Sequence, residues 1–227
     1  MELELIENKN GLSVGEYVYE MLKKNIINLN IKPGERISEK EISTIFEVSR
    51  TPVREAFIKL SREGVLYILP QRGTYISLID LEQVEEARFI RESLETAVLK
   101  IATKSFPDDA MRELEENLQI EKELIKNKDY GKFLEFDEEF HKIIFKACNK
   151  ERTWDIIEQV NTQYKRVRLL SFIADENWYK VIEQHEKLLK AIREKDNENA
   201  QKTINVHLKK LLKEQEQLKE LFPQYFK

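Results

Sequence analysis

Arg50-Thr51-Pro52-Val53-Arg54-Glu55-Ala56 reads as the opening of a short amphipathic helix that carries two arginines on its exposed face. Pro52 belongs in a first helical turn, where its missing N–H is not needed. Thr51 can cap such a helix, and Ser49 can start it two residues earlier. Val53, Ala56, Phe57 and Leu60 recur at helical spacing and make a buried stripe, and Arg50 and Arg54 fall off it. Gly64 follows where a left-handed residue ends a helix. Two exposed arginines on a helix usually mean no more than a solvated face. A first turn that displays Arg and Thr also suits a DNA major groove, because arginine forks onto guanine O6 and N7 while hydroxyls hold phosphates.

The flanking sequence favours the second reading. Val14, Val18, Met21, Leu22, Ile26 and Ile27 mark a first helix over residues 13–28. Lys32-Pro33-Gly34 is a turn. Ser38 and Glu41 make an S-x-x-E capping box ahead of a short helix through Ile42, Ile45 and Phe46. Glu47-Val48-Ser49 links it tightly to the arginine-bearing helix, which makes a helix-turn-helix. Residues 65–69 and 74–77 read as strands around the turn Pro70-Gln71-Arg72-Gly73, a hairpin wing with Arg72 at its tip. A basic tip beside glycine can approach a minor groove or a phosphate closely.

The whole chain sets bounds. It has 227 residues, enough for one large domain or two small ones, and a net charge of −4, so any nucleic-acid surface must be local. A single cysteine rules out an intramolecular disulfide framework and points to a reducing cytoplasm. No apolar run approaches the roughly 20 residues that span a bilayer, and Glu2, Glu4 and Glu7 do not suit a signal peptide. Between Tyr75 and Leu221 the breakers are Pro107 and Gly131, whereas Pro33, Gly34, Pro52, Gly64, Pro70 and Gly73 crowd the region before. The expected fold is mainly α: a winged helix-turn-helix over residues 1–78 and an all-helical bundle over 79–227. About six helices are expected there, near 80–104, 107–126, 129–149, 151–172, 177–195 and 197–221, the first opened by an Asp80/Gln83 capping box.

Three of these helices carry the candidate chemistry. Phe133, Phe136, Phe140 and Ile144 form an apolar stripe on which Asp137 and His141 sit one turn apart. His185 lies in the middle of the stripe Val181, Ile182, Leu188, Leu189, Ile192. His207 borders Ala200, Ile204, Leu208 and Leu211. A histidine on an apolar face is usually a hydrogen-bonded core residue, and all three could be that. A buried, unpaired carboxylate is costly, however, and three imidazoles with a carboxylate suit a divalent ion such as zinc, nickel or manganese. Cys148 reads as a small core residue, Trp154 and Trp178 as packing, and the Lys/Glu face of residues 209–219 as solvated or dimer-facing.

The order KPGERISEKEISTIFEVSRTPVREAFIKLSREGVLYILPQRGTYIS resembles the winged helix-turn-helix of the GntR family of bacterial transcription regulators, over about residues 14–78. DEEFHKIIF, EQHEKLLKAI and NVHLKKLL, with RESLE before them, resemble the FCD ligand-binding domain of that family's FadR branch. The resemblance implies DNA contacts at Arg50, Thr51, Arg54, Arg72 and Gly73. It adds Lys40, at a position where the family often has arginine; lysine there would hold phosphate as a point charge. It also implies a divalent metal held by Asp137, His141, His185 and His207, and an effector-facing role for Arg91, which could also be a surface helix arginine. Glu95 reads as structural.

The expected function is therefore a cytoplasmic, homodimeric repressor rather than an enzyme. It would bind a palindromic operator in double-stranded DNA and sense a small carboxylate or sugar acid, which could occupy positions left open on the metal. One alternative makes the metal itself the signal. Another, a metal-dependent hydrolase fused to a DNA-binding domain, lacks an H-E-x-x-H arrangement and a positioned base.

Overall fold

Ser13 opens the first helix as its side chain should: Oγ accepts the Glu16 N–H at 3.3 Å, and α1 runs Val14–Ile27. This is a computed structural model that describes residues 3–5, 11–174 and 178–227, with Lys213 by its backbone alone. Two-residue strand β1, Arg36–Ile37, comes next. It is too short to carry a period, which is why the sequence reading passed over it. Ser38 Oγ then accepts the Glu41 N–H at 3.1 Å and starts α2, Glu39–Ile45. The connecting turn passes through Glu47 at φ +55°.

Helix α3 is Arg50–Arg62 with Ser49 as its N-cap residue, so Thr51 lies inside the first turn rather than capping it. The Ser49 side chain makes no capping bond. Gly64 ends α3 at φ +69°, its N–H on Ser61 O at 3.1 Å and the Val65 N–H on Leu60 O at 3.0 Å. Strands β2, Leu66–Leu69, and β3, Gly73–Ile76, pair antiparallel as the wing. β1 pairs with the other edge of β3, Ile37 opposite Thr74, giving the order β1-β3-β2.

Leu22, Ile26, Ile42, Val53, Phe57, Leu60, Val65 and Ile76 fill the core beneath these elements. Each such side chain contributes about 1.5–3 kcal/mol by leaving water. Residues through Leu81 belong to this first compact unit, together with Phe222–Lys227. That segment returns to the residues after the wing: Ile79 forms a parallel bridge with Phe226, its N–H reaching Tyr225 O at 2.8 Å, and Lys227 N–H reaching Ile79 O at 3.0 Å. Lys227 Nζ also meets Asp80 Oδ2 at 3.0 Å.

Glu82–Leu221 form the second unit. Its helices are α4 (Leu81–Ala102), α5 (Asp108–Lys126), α6 (Tyr130–Ala147), α7 (Glu151–Val160), α8 (Thr162–Ala174), α9 (Tyr179–Arg193) and α10 (Asn197–Leu221). Asp129 caps α6 by accepting the Lys132 N–H at 3.2 Å. The expected single helix over 151–172 is instead two, broken at Asn161. That side chain is fully buried and donates Nδ2 to Glu138 Oε2 at 3.0 Å. Asparagine favours such breaks because its amide competes for hydrogen bonds at short range. The expected helix start at Asn177 lies outside the described residues. Trp178 packs against Tyr130, Phe133 and Phe172, and Trp154 against Phe145, so both tryptophans are core residues. Cys148 is buried, and burial raises its thiol pKa. Among the described residues, no helix is long and apolar enough to cross a membrane.

Candidate metal centre and arginine-bearing helix

Asp137 and His141 face inward because α6 buries the stripe on which they lie, one turn apart. α9 brings His185 to them, and α10 brings His207. One ligand atom from each of the four residues lies within 4.8 Å of the other three. His141 Nε2 is 3.3 Å from His207 Nε2, and His185 Nε2 is 3.6 Å from Asp137 Oδ1. His185 Nε2 is buried without a hydrogen bond.

The other nitrogen of every imidazole is already taken. His141 Nδ1 lies 2.7 Å from Glu95 Oε2, His185 Nδ1 2.8 Å from Glu121 Oε2, and His207 Nδ1 2.9 Å from Gln184 Oε1. If each Nδ1–H is donated outward to these acceptors, each ring is left with Nε2 facing a common centre, the arrangement that metal-binding histidines use. The four residues thus fit a divalent cation by donor type, convergence and outer support. Glu95 was read from the sequence as structural; here it is the acceptor that orients His141. Glu121 and Gln184 were missed. Glu121 could have been found, since it falls in the apolar stripe Leu114, Leu118, Ile125 of α5.

A dense ionic layer surrounds the cluster. Arg168 donates Nη1 to Asp137 Oδ2 at 2.5 Å and Nη2 to Asp137 Oδ1 at 2.6 Å. Arg168 also reaches Glu138 Oε1 at 3.0 Å. Glu138 takes further contacts from Arg91 at 2.5 Å and Lys165 at 3.4 Å. Burial alone would raise the Asp137 carboxyl, but the Arg168 guanidinium holds it well below the usual range. Burial likewise opposes the ionised Glu138, and Arg91, Lys165 and Arg168 outweigh it, down to about 2. Burial pulls His185 down, and Glu121 raises it above its ordinary value. Burial, with the other two imidazoles, holds His207 well below its own.

Arg91 is fully buried, its Nε on Glu95 Oε1 at 2.5 Å and its guanidinium over the Trp154 and Tyr164 rings. Its Nη2 has no hydrogen-bond partner. A recess beside the cluster is lined by Tyr164, Arg168, Ser171, Phe172 and His207.

In the first unit, Lys40, Arg50, Thr51, Arg54 and Arg72 are all exposed. Arg54 forks onto Glu39 of α2, Nε to Oε1 at 2.9 Å and Nη2 to Oε2 at 3.1 Å. Gly73, at φ +120°, sits under Arg36: a Cβ there would lie 2.6 Å from Arg36 Nε. Arg36, absent from the sequence reading, is therefore part of the wing surface.

Residues 15–76 match the family described as bacterial regulatory proteins, gntR family, and residues 86–210 match the FCD domain. The HTH-type transcriptional repressor RspR of Escherichia coli (strain K12) is 33% identical over 207 residues, 91% of each chain. The gluconate operon transcriptional repressor of Bacillus subtilis (strain 168) is 29% identical over 191 residues, 81% of this chain and 77% of the relative. The solved structure of E. coli McbR/YncC has the same fold, with a TM-score of 0.79 at 22% identity, covering 93% of this chain and 99% of that one.

Proposed function

The chain belongs to the GntR family of bacterial regulatory proteins and carries an FCD domain, and from that premise we propose that it is a metabolite-responsive repressor with a divalent metal in its helical unit. It is a DNA-binding transcriptional regulator. The finer reading rests above all on one observation, the convergence of three outwardly anchored imidazoles on Asp137. Asp137, His141, His185 and His207 would hold the ion. When bound, it supplies positive charge and open coordination positions that attract a carboxylate.

The effector we infer is a small carboxylate or sugar acid. A relative named for a gluconate operon agrees with that class, and the buried Arg91 offers an unused Nη2 donor beside the cluster. On DNA, Arg50, Thr51 and Arg54 would enter the major groove, Arg72 and Gly73 of the wing would lie against the minor groove or backbone, and Lys40 would hold a phosphate. A homodimer would present two such helices to a palindrome. The effector acts by binding one arrangement of α6, α9 and α10 better than another, and couplings of this kind are about 1–3 kcal/mol.

Elemental analysis of purified wild type beside His141→Ala and His185→Ala tests the centre. About one metal per chain, absent from both variants, is the expected result, and a metal-free wild type sinks it. Operator affinity, measured by fluorescence anisotropy with and without metal and gluconate, separates two readings. A shift with metal alone makes the ion the signal.

A further inference from the structure

Asp137 differs from the three histidines in one respect. Their inward nitrogens face the centre, whereas both oxygens of Asp137 are held by the Arg168 fork. A guanidinium does not give up its proton in a protein, so a full positive charge stands beside the place a cation would take. Arg168 comes from α8, which supplies none of the four candidate ligands, and its guanidinium lies over the Phe172 ring, 5.4 Å from the centroid.

The buried charges indicate what a second cation would do. Glu95, Glu121, Asp137 and Glu138 are the carboxylates, and Arg91, Lys165 and Arg168 the fixed cations that touch them. Lys165 is shared with Glu158 at 2.7 Å, so the charge count alone does not single out Arg168; a divalent ion at the cluster centre and the Arg168 guanidinium would instead compete for the same two Asp137 oxygens. In a medium of low dielectric, two cations crowded on one carboxylate repel strongly. Glu138 would keep Arg91 and Lys165 without it.

We propose that Arg168 is the internal counter-ion of the metal-free centre, displaced from Asp137 when a divalent cation binds. The proposal rests on the metal-centre reading above. It assigns Arg168 a defined effect: competition for Asp137 weakens metal binding, and the released fork is a positive group available to an anion in the recess it lines. A different role is open to the same residue. An arginine that merely orients a ligating carboxylate strengthens the site, and losing such a partner weakens metal binding about 10- to 100-fold.

The two roles predict opposite signs. Zinc is titrated by calorimetry, against a competing chelator, into metal-stripped full-length wild type, Arg168→Met and His185→Ala. Arg168→Met, an unbranched side chain without the charge, should bind zinc at least about tenfold more tightly than wild type, the reverse of what losing an orienting partner does. Equal or weaker binding overturns the proposal and leaves the metal centre standing. No zinc bound by either wild type or Arg168→Met overturns the centre and the proposal together. Should Arg168→Met fail to fold, arginine side-chain 15N spectra of the wild type decide. Saturating zinc should move the Arg168 guanidinium signal, assigned through Arg168→Lys, far more than that of Arg91. An unmoved Arg168 signal overturns the proposal.

Discussion

His185 Nδ1 and Glu121 Oε2 are 2.8 Å apart in a region closed to water, with both side chains fully buried. Glu121 has no ligand atom at the cluster centre, yet it sets which face of the His185 ring points there. Replacing it with alanine should weaken zinc binding by about 10- to 100-fold, and glutamine, which keeps an acceptor, should lose less. Zinc titration with melting curves for the metal-free proteins checks this. Equal losses for alanine and glutamine would show that the charge, not the orientation, matters.

Arg54 is committed to Glu39 before DNA arrives. The pair is solvated, and exposed ion pairs are weak. Its rupture on binding should therefore be a small tax on affinity. Arg54→Ala should weaken operator binding about tenfold or more if the fork reads a guanine. Glu39→Gln should tighten it a few-fold, with a smaller gain at high salt. Anisotropy titrations at two salt concentrations test both variants, and a weaker Glu39→Gln complex would mean that Glu39 positions Arg54 on the base.

Gly73 has two reasons to be glycine: φ +120° and the Arg36 guanidinium lying where a Cβ would go. Gly73→Ala should cost about 1–3 kcal/mol in backbone strain and push Arg36 away. Melting temperature and operator affinity should both fall. In Gly73→Ala/Arg36→Ala the clash is gone but the φ strain stays, so stability should recover only in part.

The elements with a repeating pattern were legible. α1, α3, α6 and α10 carry apolar stripes several turns long, and the Ser38 cap was a local signal that the folded chain uses. The four cluster residues were legible for the same reason, since each lies on or beside such a stripe. What escaped notice depends on tertiary contact. Strand β1 exists because β3 pairs with it. The break at Asn161 is fixed by Glu138, 23 residues earlier. No pattern in the sequence singles out Arg168, because its place on Asp137 needs α6 and α8 side by side.

Asn161 gives a prediction of its own. Its Nδ2–H on Glu138 joins Arg91, Lys165 and Arg168 around one carboxylate. Asn161→Ala removes one buried bond to a charged acceptor and should cost about 1.5–3 kcal/mol by chemical denaturation. Asn161→Asp sets another buried carboxylate directly against Glu138 and should cost more. An Asp variant as stable as the Ala one would show the layer to be more open to water than its burial indicates.

The bridge between Ile79 and Phe226 ties the last residues of the chain to the stretch just after the wing. Phe226 is buried, and Phe226→Ala should destabilise the first unit by up to about 3–5 kcal/mol. Native-state hydrogen exchange gives the sharper readout. The Ile79 N–H, bonded to Tyr225 O, should exchange much faster in Phe226→Ala, while the N–H groups of α3 keep their protection. If α3 loses protection to the same degree, the segment stabilises the whole unit. If Ile79 alone responds, the segment is a local clasp on the stretch after the wing, open without unfolding the helix that bears Arg50 and Arg54.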